Sequence, residues 1–216
     1  MVNWQFHPSV HLTPATMLVA CNQHRVIGYK GKIPWYIPED LKFFKTVTLT
    51  NIVIMGRKTF QSLTKPLLKR HLIVLTSQIH PYDTFMNCPA IWPNDKVVDG
   101  YGSTVSFYPN SQLAVIKADV INSSDVLMPK RYALIKKDAN FIQTKPQKKI
   151  IIAGGEQVYR EWLNYPALTT IIITQVFDNS KTDTHFPELS DEWKLSVSYT
   201  YKTHKRFFYY KHRGYQ

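Results

Sequence analysis

"KKIIIAGGEQVYREWL", residues 148–163, carries two structural periods in one short stretch. Ile150, Ile151 and Ile152 are apolar without a break, as in a strand covered on both faces. Two glycines interrupt the run, and beyond them Val158, Tyr159 and Trp162 recur on one side of a helix. A doubly covered strand that turns straight into an amphipathic helix is half of a strand–helix–strand unit. The sheet it belongs to is therefore expected to be mainly parallel. The same grammar recurs along the chain. Strand-length apolar runs lie at 16–22, 51–56, 71–77, 113–118, 169–177, 193–201 and 206–212, and helical candidates at 38–47, 58–64, about 124–138 and 156–163. Only "KTHK" separates the last two runs, which predicts an antiparallel hairpin at one edge.

Composition sets the outer bounds. The chain has 216 residues, 44% hydrophobic with 8 glycines, enough for one substantial core and against disorder. One domain is expected over 16–216, preceded by a short extension at 1–15 with neither the basic nor the apolar region of a secretory signal. No apolar run is long enough to span a membrane. Residues 79–112 hold four prolines among scattered Asn, Asp, Gly and Ser, and read as a long surface insertion. Cys21 and Cys88 form no metal pattern, Cys21 reads as an inert core thiol, and the default compartment is the cytoplasm. The net charge of +12 is concentrated in "YKTHKRFFYYKHR" and between Lys117 and Lys149. "FFYY" between charges fits a terminal strand with one packed face, so the field suits small polyanions better than nucleic acid.

Two strand-to-helix turns look like phosphate sites. "NIVIMGRKTFQSL" (51–63) runs from a buried strand through Gly56 into Arg57, Lys58 and Thr59 at a helix start. Backbone N–H groups, the helix dipole, two cations and a hydroxyl all suit an anion there, although a solvated basic helix end would look the same. Gly154-Gly155 repeats the arrangement, with a plain connection as its alternative. "LTSQ" (75–78) adds Ser77 and Gln78 at a third strand end, where such residues also serve as ordinary turn formers. Neither of the common glycine fingerprints for dinucleotides or nucleoside triphosphates is present.

"KIPWYIPEDLKFFK" (32–45) poses a different problem. Ile37, Leu41, Phe44 and Thr48 make one apolar helix face, and Asp40 falls on it. Its helical neighbours Tyr36, Ile37, Phe43, Phe44, Val47 and Thr48 include no cation. Asp40 is either an acid of the first turn, favoured by the dipole behind Pro38, or a carboxylate whose hydrogen-bond donors arrive with a ligand.

Taken in order, "RVIGYKGKIPW" (25–35), "PEDLKFFK" (38–45), "VIMGRKTFQSL" (53–63), "PLLKR" (66–70), "IIIAGGEQVY" (150–159) and "DTHFP" (183–187) resemble dihydrofolate reductases. The likeness covers nearly everything from Met17 to Arg213 except 79–112. It implies an α/β fold with a central, mostly parallel eight-stranded sheet, about four flanking helices and an antiparallel C-terminal strand. It further implies NADPH as cofactor, hydride transfer to C6 of dihydrofolate and protonation at N5.

By the same resemblance Asp40 is the active-site acid, Trp35 holds a water beside it, and Thr174 braces the carboxylate and the pterin. Leu18, Ala20, Leu41, Phe44, Ser62, Leu63, Leu67, Ala153 and Tyr159 would line the substrate slot, and Arg70 would pair with the glutamate tail. Ala20, Ile27 and Gly28 would meet the nicotinamide. Arg57, Ser77 and Gln78 would hold the adenosine 2′-phosphate near Leu75 and Thr76. Gly56, Lys58, Thr59, Gly154, Gly155, Glu156, Gln157, Val158 and Tyr159 would surround the rest of the dinucleotide. The Gly154-Gly155 peptide would be cis, and "GYKGKIPW" would be the loop that closes over the nicotinamide.

Departures from the pattern are Ala153 for a larger floor residue, Gln157 for an arginine, and Ile33 in the closing loop. Ala153 puts affinity for diaminopyrimidine antifolates in question. A pyrimidinone reductase of riboflavin synthesis shares the architecture, but Trp35, Asp40 and Arg70 all serve a pterin with a glutamate tail. A catalytically silent, basic binding module would have no use for Asp40, Arg57 and Arg70 together. The protein is expected to be a monomer that binds dihydrofolate and antifolates, with neither nucleic acid nor membrane as partner.

Overall fold

The computed structural model describes residues 4, 12–64, 67–77, 104–126, 147–180 and 183–211. The unbroken apolar runs become central strands. β1 (Ala15–Asn22), β3 (Ile52–Gly56), β4 (His71–Leu75), β5 (Thr104–Tyr108), β6 (Ile150–Ile152), β7 (Leu168–Val176), β9 (Trp193–Thr200) and β10 (His204–Lys211) form one sheet. Its order is β5-β4-β3-β6-β1-β7-β10-β9. The strands from β5 to β7 run parallel, and β10 is antiparallel to both β7 and β9. Ile150 to Ile152 are almost wholly buried, and each contributes roughly 2 kcal/mol by leaving water. The short strands β2 (Val26–Gly28) and β8 (Thr184–His185) make a separate antiparallel pair.

The helices are α1 (Pro38–Thr48), α2 (Arg57–Gln61), α3 (Ser111–Val126) and α4 (Glu156–Trp162). Met17, Val19, Ile54, Ile152 and Ile171 face one side, against Ala114, Val115 and Ala118 of α3 and Val158 and Trp162 of α4. On the other side Leu18, Ile151 and Ile172 pack with Phe43, Phe44 and Val47 of α1. Next to them, Val53, Met55 and Phe60 form a cluster that takes in Leu63, Leu67 and Ala153.

One segment overturns the expectation from sequence. Residues 113–118, read as a strand, lie inside α3, and the fifth strand is "TVSFY" at 104–108, within the stretch read as an insertion. Ala114, Val115 and Ala118 are fully buried while Leu113 and Ile116 are exposed, which is helical spacing. The rest of the helix expected at about 124–138 lies outside the described residues beyond Val126. Near the N-terminus, Trp4 meets Trp162 edge-on and Tyr165 at a tilt, and Thr13 bonds Asp119, so the extension is tied to α3 and α4.

Candidate active site

Strand register sets the first group of site residues. Ala20 on β1, Thr174 on β7 and Arg206 on β10 stand side by side in three neighbouring strands. Leu18, Ile172 and Phe208 form the next row on the same face. α1 crosses this face, and Pro38 at its first turn fixes where it starts. The helix packs through Phe43, Phe44 and Val47, with Thr48 fully buried. Asp40 lies on that packed side, whereas Leu41 is 50% exposed at its flank. The apolar stripe is thus rotated by part of a turn from the one read in the sequence, toward Phe43 and Val47.

Asp40 has a protein partner after all. Arg206 Nη2 lies 3.4 Å from its Oδ1, with side chains 7% and 18% exposed for Arg206 and Asp40. Arg206 Nε donates to Thr174 Oγ1 at 3.2 Å, so the guanidinium links the two residues expected to hold the pterin. The Phe43 ring covers the guanidinium at 3.7 Å, a cation–π contact. The second Nη2 hydrogen goes to His204 Nε2 at 3.2 Å. Arginine only donates, so Nε2 must accept; the imidazole proton is on Nδ1 and points to Thr203 Oγ1 at 3.0 Å. Burial and then Arg206 hold His204 below the usual imidazole range, against the opposing pull of Asp40 and Glu39. This neutral imidazole completes the brace.

A pH dependence of stability follows. The unfolded chain takes up a proton on His204 below about pH 6.5, whereas the folded chain resists until lower pH. The stability due to neutral His204 is present above about pH 6.5 and is lost as pH falls toward the folded value. Urea unfolding between pH 8 and 5 should show this loss, and His204→Gln should lack that component. An equal decline in both proteins would assign the acid sensitivity to other groups.

The two glycine turns are stitched together because β3 and β6 are neighbours. Gly56 N–H donates to Gly154 O at 2.7 Å, and Ala153 N–H to Ile54 O at 2.8 Å. The Gly154-Gly155 peptide is cis, and Gly154 has a φ of +102°. A Cβ on Gly56 would stand 3.2 Å from Val158 Cγ2, and one on Gly155 would stand 3.3 Å from Thr59 Oγ1. β4 lies on the other side of β3 with Leu75 opposite Gly56, so Thr76 and Ser77 leave β4 at the same end of the sheet at which Arg57 leaves β3. Gln78 lies outside the described residues. The sheet order turns back on itself around β6 and β1, and in open α/β sheets ligands bind beyond the strand ends at such a point.

A family model described as dihydrofolate reductase matches residues 15–98 and 112–214. The chain belongs to the dihydrofolate reductase family. Dihydrofolate reductase type 9 of Escherichia coli is 31% identical over 181 residues, covering 83% of this chain and 80% of that protein. Dihydrofolate reductase of Buchnera aphidicola subsp. Acyrthosiphon pisum is 30% identical over 182 residues, covering 83% of each. A solved dihydrofolate reductase from Enterococcus faecalis, complexed with NADP(H) and RAB-propyl, superposes with a TM-score of 0.62 at 24% identity. It covers 93% of this chain and 97% of that one, and shows the shared fold.

Two reductase motifs far apart in sequence meet beside the site. Phe186 N–H of "DTHFP" donates to Arg25 O at 2.7 Å, β2 pairs with β8, and Lys30 N–H donates to Asp183 Oδ2 at 2.9 Å. Hydrogen bonds from Thr184 and Lys30 hold the Asp183 carboxyl below its usual range. Glu156 is committed to the scaffold: Oε1 takes Arg160 at 2.7 Å and Oε2 takes His185 N–H at 3.1 Å. Burial opposes ionisation of Glu156, but these partners lower its pKa overall. Tyr159, fully buried and with its hydroxyl pushed upward by burial, donates to Leu18 O at 2.9 Å. Burial likewise pushes the Cys21 thiol up to about 12, as suits an inert core residue.

Trp35 is half-buried on the segment entering α1, and Ser62 is exposed with its hydroxyl on Thr59 O at 2.7 Å. Arg70 is 4% exposed, and its Nε is buried with no partner among the described residues. Arg206 and His204 are the residues that the sequence reading missed. Both sit in a terminal strand whose alternating charges and aromatics look like surface, and Asp40 is 166 positions away from Arg206.

Proposed function

We propose that this protein reduces 7,8-dihydrofolate to 5,6,7,8-tetrahydrofolate with NADPH. The observation that carries the reading is Asp40, a largely buried carboxylate at the edge of an apolar cleft, aligned by Arg206 beside Thr174. Leu18, Phe44, Leu63, Leu67 and Ala153 give that cleft apolar walls, with Leu41 and Ser62 at its rim. A flat ring slid between them would present its N–H donors to the remaining carboxylate oxygen. Arg70, a buried cation whose Nε has no partner among the described residues, suits the carboxylates of the tail. Trp35 would hold a water against Asp40, and through it the carboxyl would deliver the proton to N5.

The stitched turns fit a dinucleotide. Added side chains at Gly56 or Gly155 would crowd Val158 or Thr59, so the glycines keep the backbone open to close approach by phosphate. Lys58, Thr59 and the start of α4 from Glu156 to Tyr159, including Gln157, would hold the pyrophosphate. Arg57, with Leu75, Thr76, Ser77 and Gln78 alongside, would take the 2′-phosphate. Ala20, Ile27 and Gly28 would face the nicotinamide. NADPH, when bound there, supplies the hydride. The +12 charge favours encounters with both anionic ligands. The protein is read as a monomer working in the cytoplasm, without nucleic-acid or membrane partners.

Turnover tests the reading. Purified protein should consume NADPH only after dihydrofolate is added, and should use NADH at least about tenfold less well, since one guanidinium–phosphate contact is worth 1.5–3 kcal/mol. NADPH consumption triggered by a riboflavin-pathway pyrimidinone instead would favour the sister activity, and none with either would overturn the enzyme.

A further inference from the structure

Arg206 already sets a positive charge against the carboxylate at which a ligand would bind. It has three assigned donor contacts: Asp40 Oδ1 at 3.4 Å, Thr174 Oγ1 at 3.2 Å and His204 Nε2 at 3.2 Å. Phe43 lies against the guanidinium and Tyr201 stands 5.3 Å from it, so water screens the charge poorly. With His204 neutral, the compensating charge among the described residues is that of Asp40; Glu39 is exposed on the same helix. The carboxylate's charge is therefore largely answered before any ligand arrives, while Oδ2 accepts no hydrogen bond from the described residues.

Ring chemistry separates two classes of ligand at such a carboxylate. A 2-amino-4-oxo pteridine offers neutral N–H donors. Replacing the 4-oxo group by an amino group makes the ring basic. An unopposed carboxylate then draws a proton onto the ring and holds it as an ion pair. A buried guanidinium on the other oxygen repels that second cation but not the neutral ring.

We infer that Arg206 is a specificity-determining residue that tunes Asp40 toward neutral 2-amino-4-oxo rings and against rings that bind as cations. This rests on the reading of the cleft as a pteridine site. It is separate from the shortened wall at Ala153, which acts through shape on both classes.

The test compares folate with its 4-amino analogue, which share the tail and so cancel the Arg70 contact. Calorimetry with NADP⁺ present gives both dissociation constants for the wild type, Arg206→Gln and Arg206→Lys. In Arg206→Gln the preference for the 4-amino ring should rise by about tenfold or more, and Arg206→Lys should stay close to the wild type. A preference that moves by less than about threefold in Arg206→Gln overturns the assignment, however much each constant changes.

A wild-type measurement covers the case of a misfolded variant. Calorimetry at about pH 8 in two buffers of different ionisation enthalpy counts protons taken up with the 4-amino ligand. Less than about half a proton is expected, and uptake of a full proton overturns the proposal. Wild-type turnover of dihydrofolate checks the underlying reading separately. Turnover with an unchanged preference removes only the role of Arg206, whereas a wild type that binds neither ring removes both.

Discussion

Asp40→Asn should leave a folded protein whose turnover of dihydrofolate at neutral pH is about 10²- to 10⁴-fold below wild type, the usual range for a lost general acid. Asparagine keeps an oxygen where Oδ1 accepts from Arg206 Nη2, so the brace from Thr174 through Arg206 to α1 persists. The lost charge leaves the guanidinium without its counter-ion at a site only 7% exposed. That costs about 1–3 kcal/mol, or several degrees in Tm for a chain of this size. The residual rate should climb as pH falls, because solvent becomes the proton source for N5. NADPH affinity should be unchanged, since Asp40 touches neither glycine turn. Wild-type turnover in a well-folded Asp40→Asn protein would mean that Asp40 serves only as the counter-ion of Arg206.

Arg70→Leu should separate binding from stability. A guanidinium that is 4% exposed, with Nε unpartnered among the described residues and its pKa lowered by burial, is a standing cost to the fold. Its replacement by leucine should hold or raise Tm. The same change should raise KM for dihydrofolate about 30-fold or more, from the 2–5 kcal/mol of a desolvated charge pair, with kcat little altered. A dihydropterin that lacks the benzoylglutamate tail provides the control, since its KM should not move. A fall in Tm with KM intact would make Arg70 a structural cation instead.

The sequence made the α/β class readable because unbroken apolar strands and amphipathic helices alternate from Met17 to Val176. The carboxylate on the packed face of α1 was readable too, because a helix repeats every few residues and Asp40 breaks its own stripe. Residues 104–126 were misread for a physical reason. "LAVIKA" is short and apolar, which fits a buried strand as well as a helix, and "TVSFY" is hidden among turn formers. Arg206 could not be found by spacing at all. Thr174 reaches it only through the register of β10 on β7, and Asp40 only through the packing of α1 on that face. Local pattern reports what a residue does to its own element, whereas a charge pair across the sheet exists only once the sheet does.

The position of β1 bears on how the chain is made. It comes ahead of the other described strands in the chain, yet its neighbours in the sheet are β6 and β7, at 150–152 and 168–176. Both of its edges therefore wait until most of the polypeptide has been synthesised, while β3, β4 and β5 can pair among themselves much earlier. Such delayed, long-range pairing slows folding and exposes unpaired apolar edges during synthesis. The pairing of β1 with β7 that sets Ala20 beside Thr174 can therefore form only after about 150 further residues have been made.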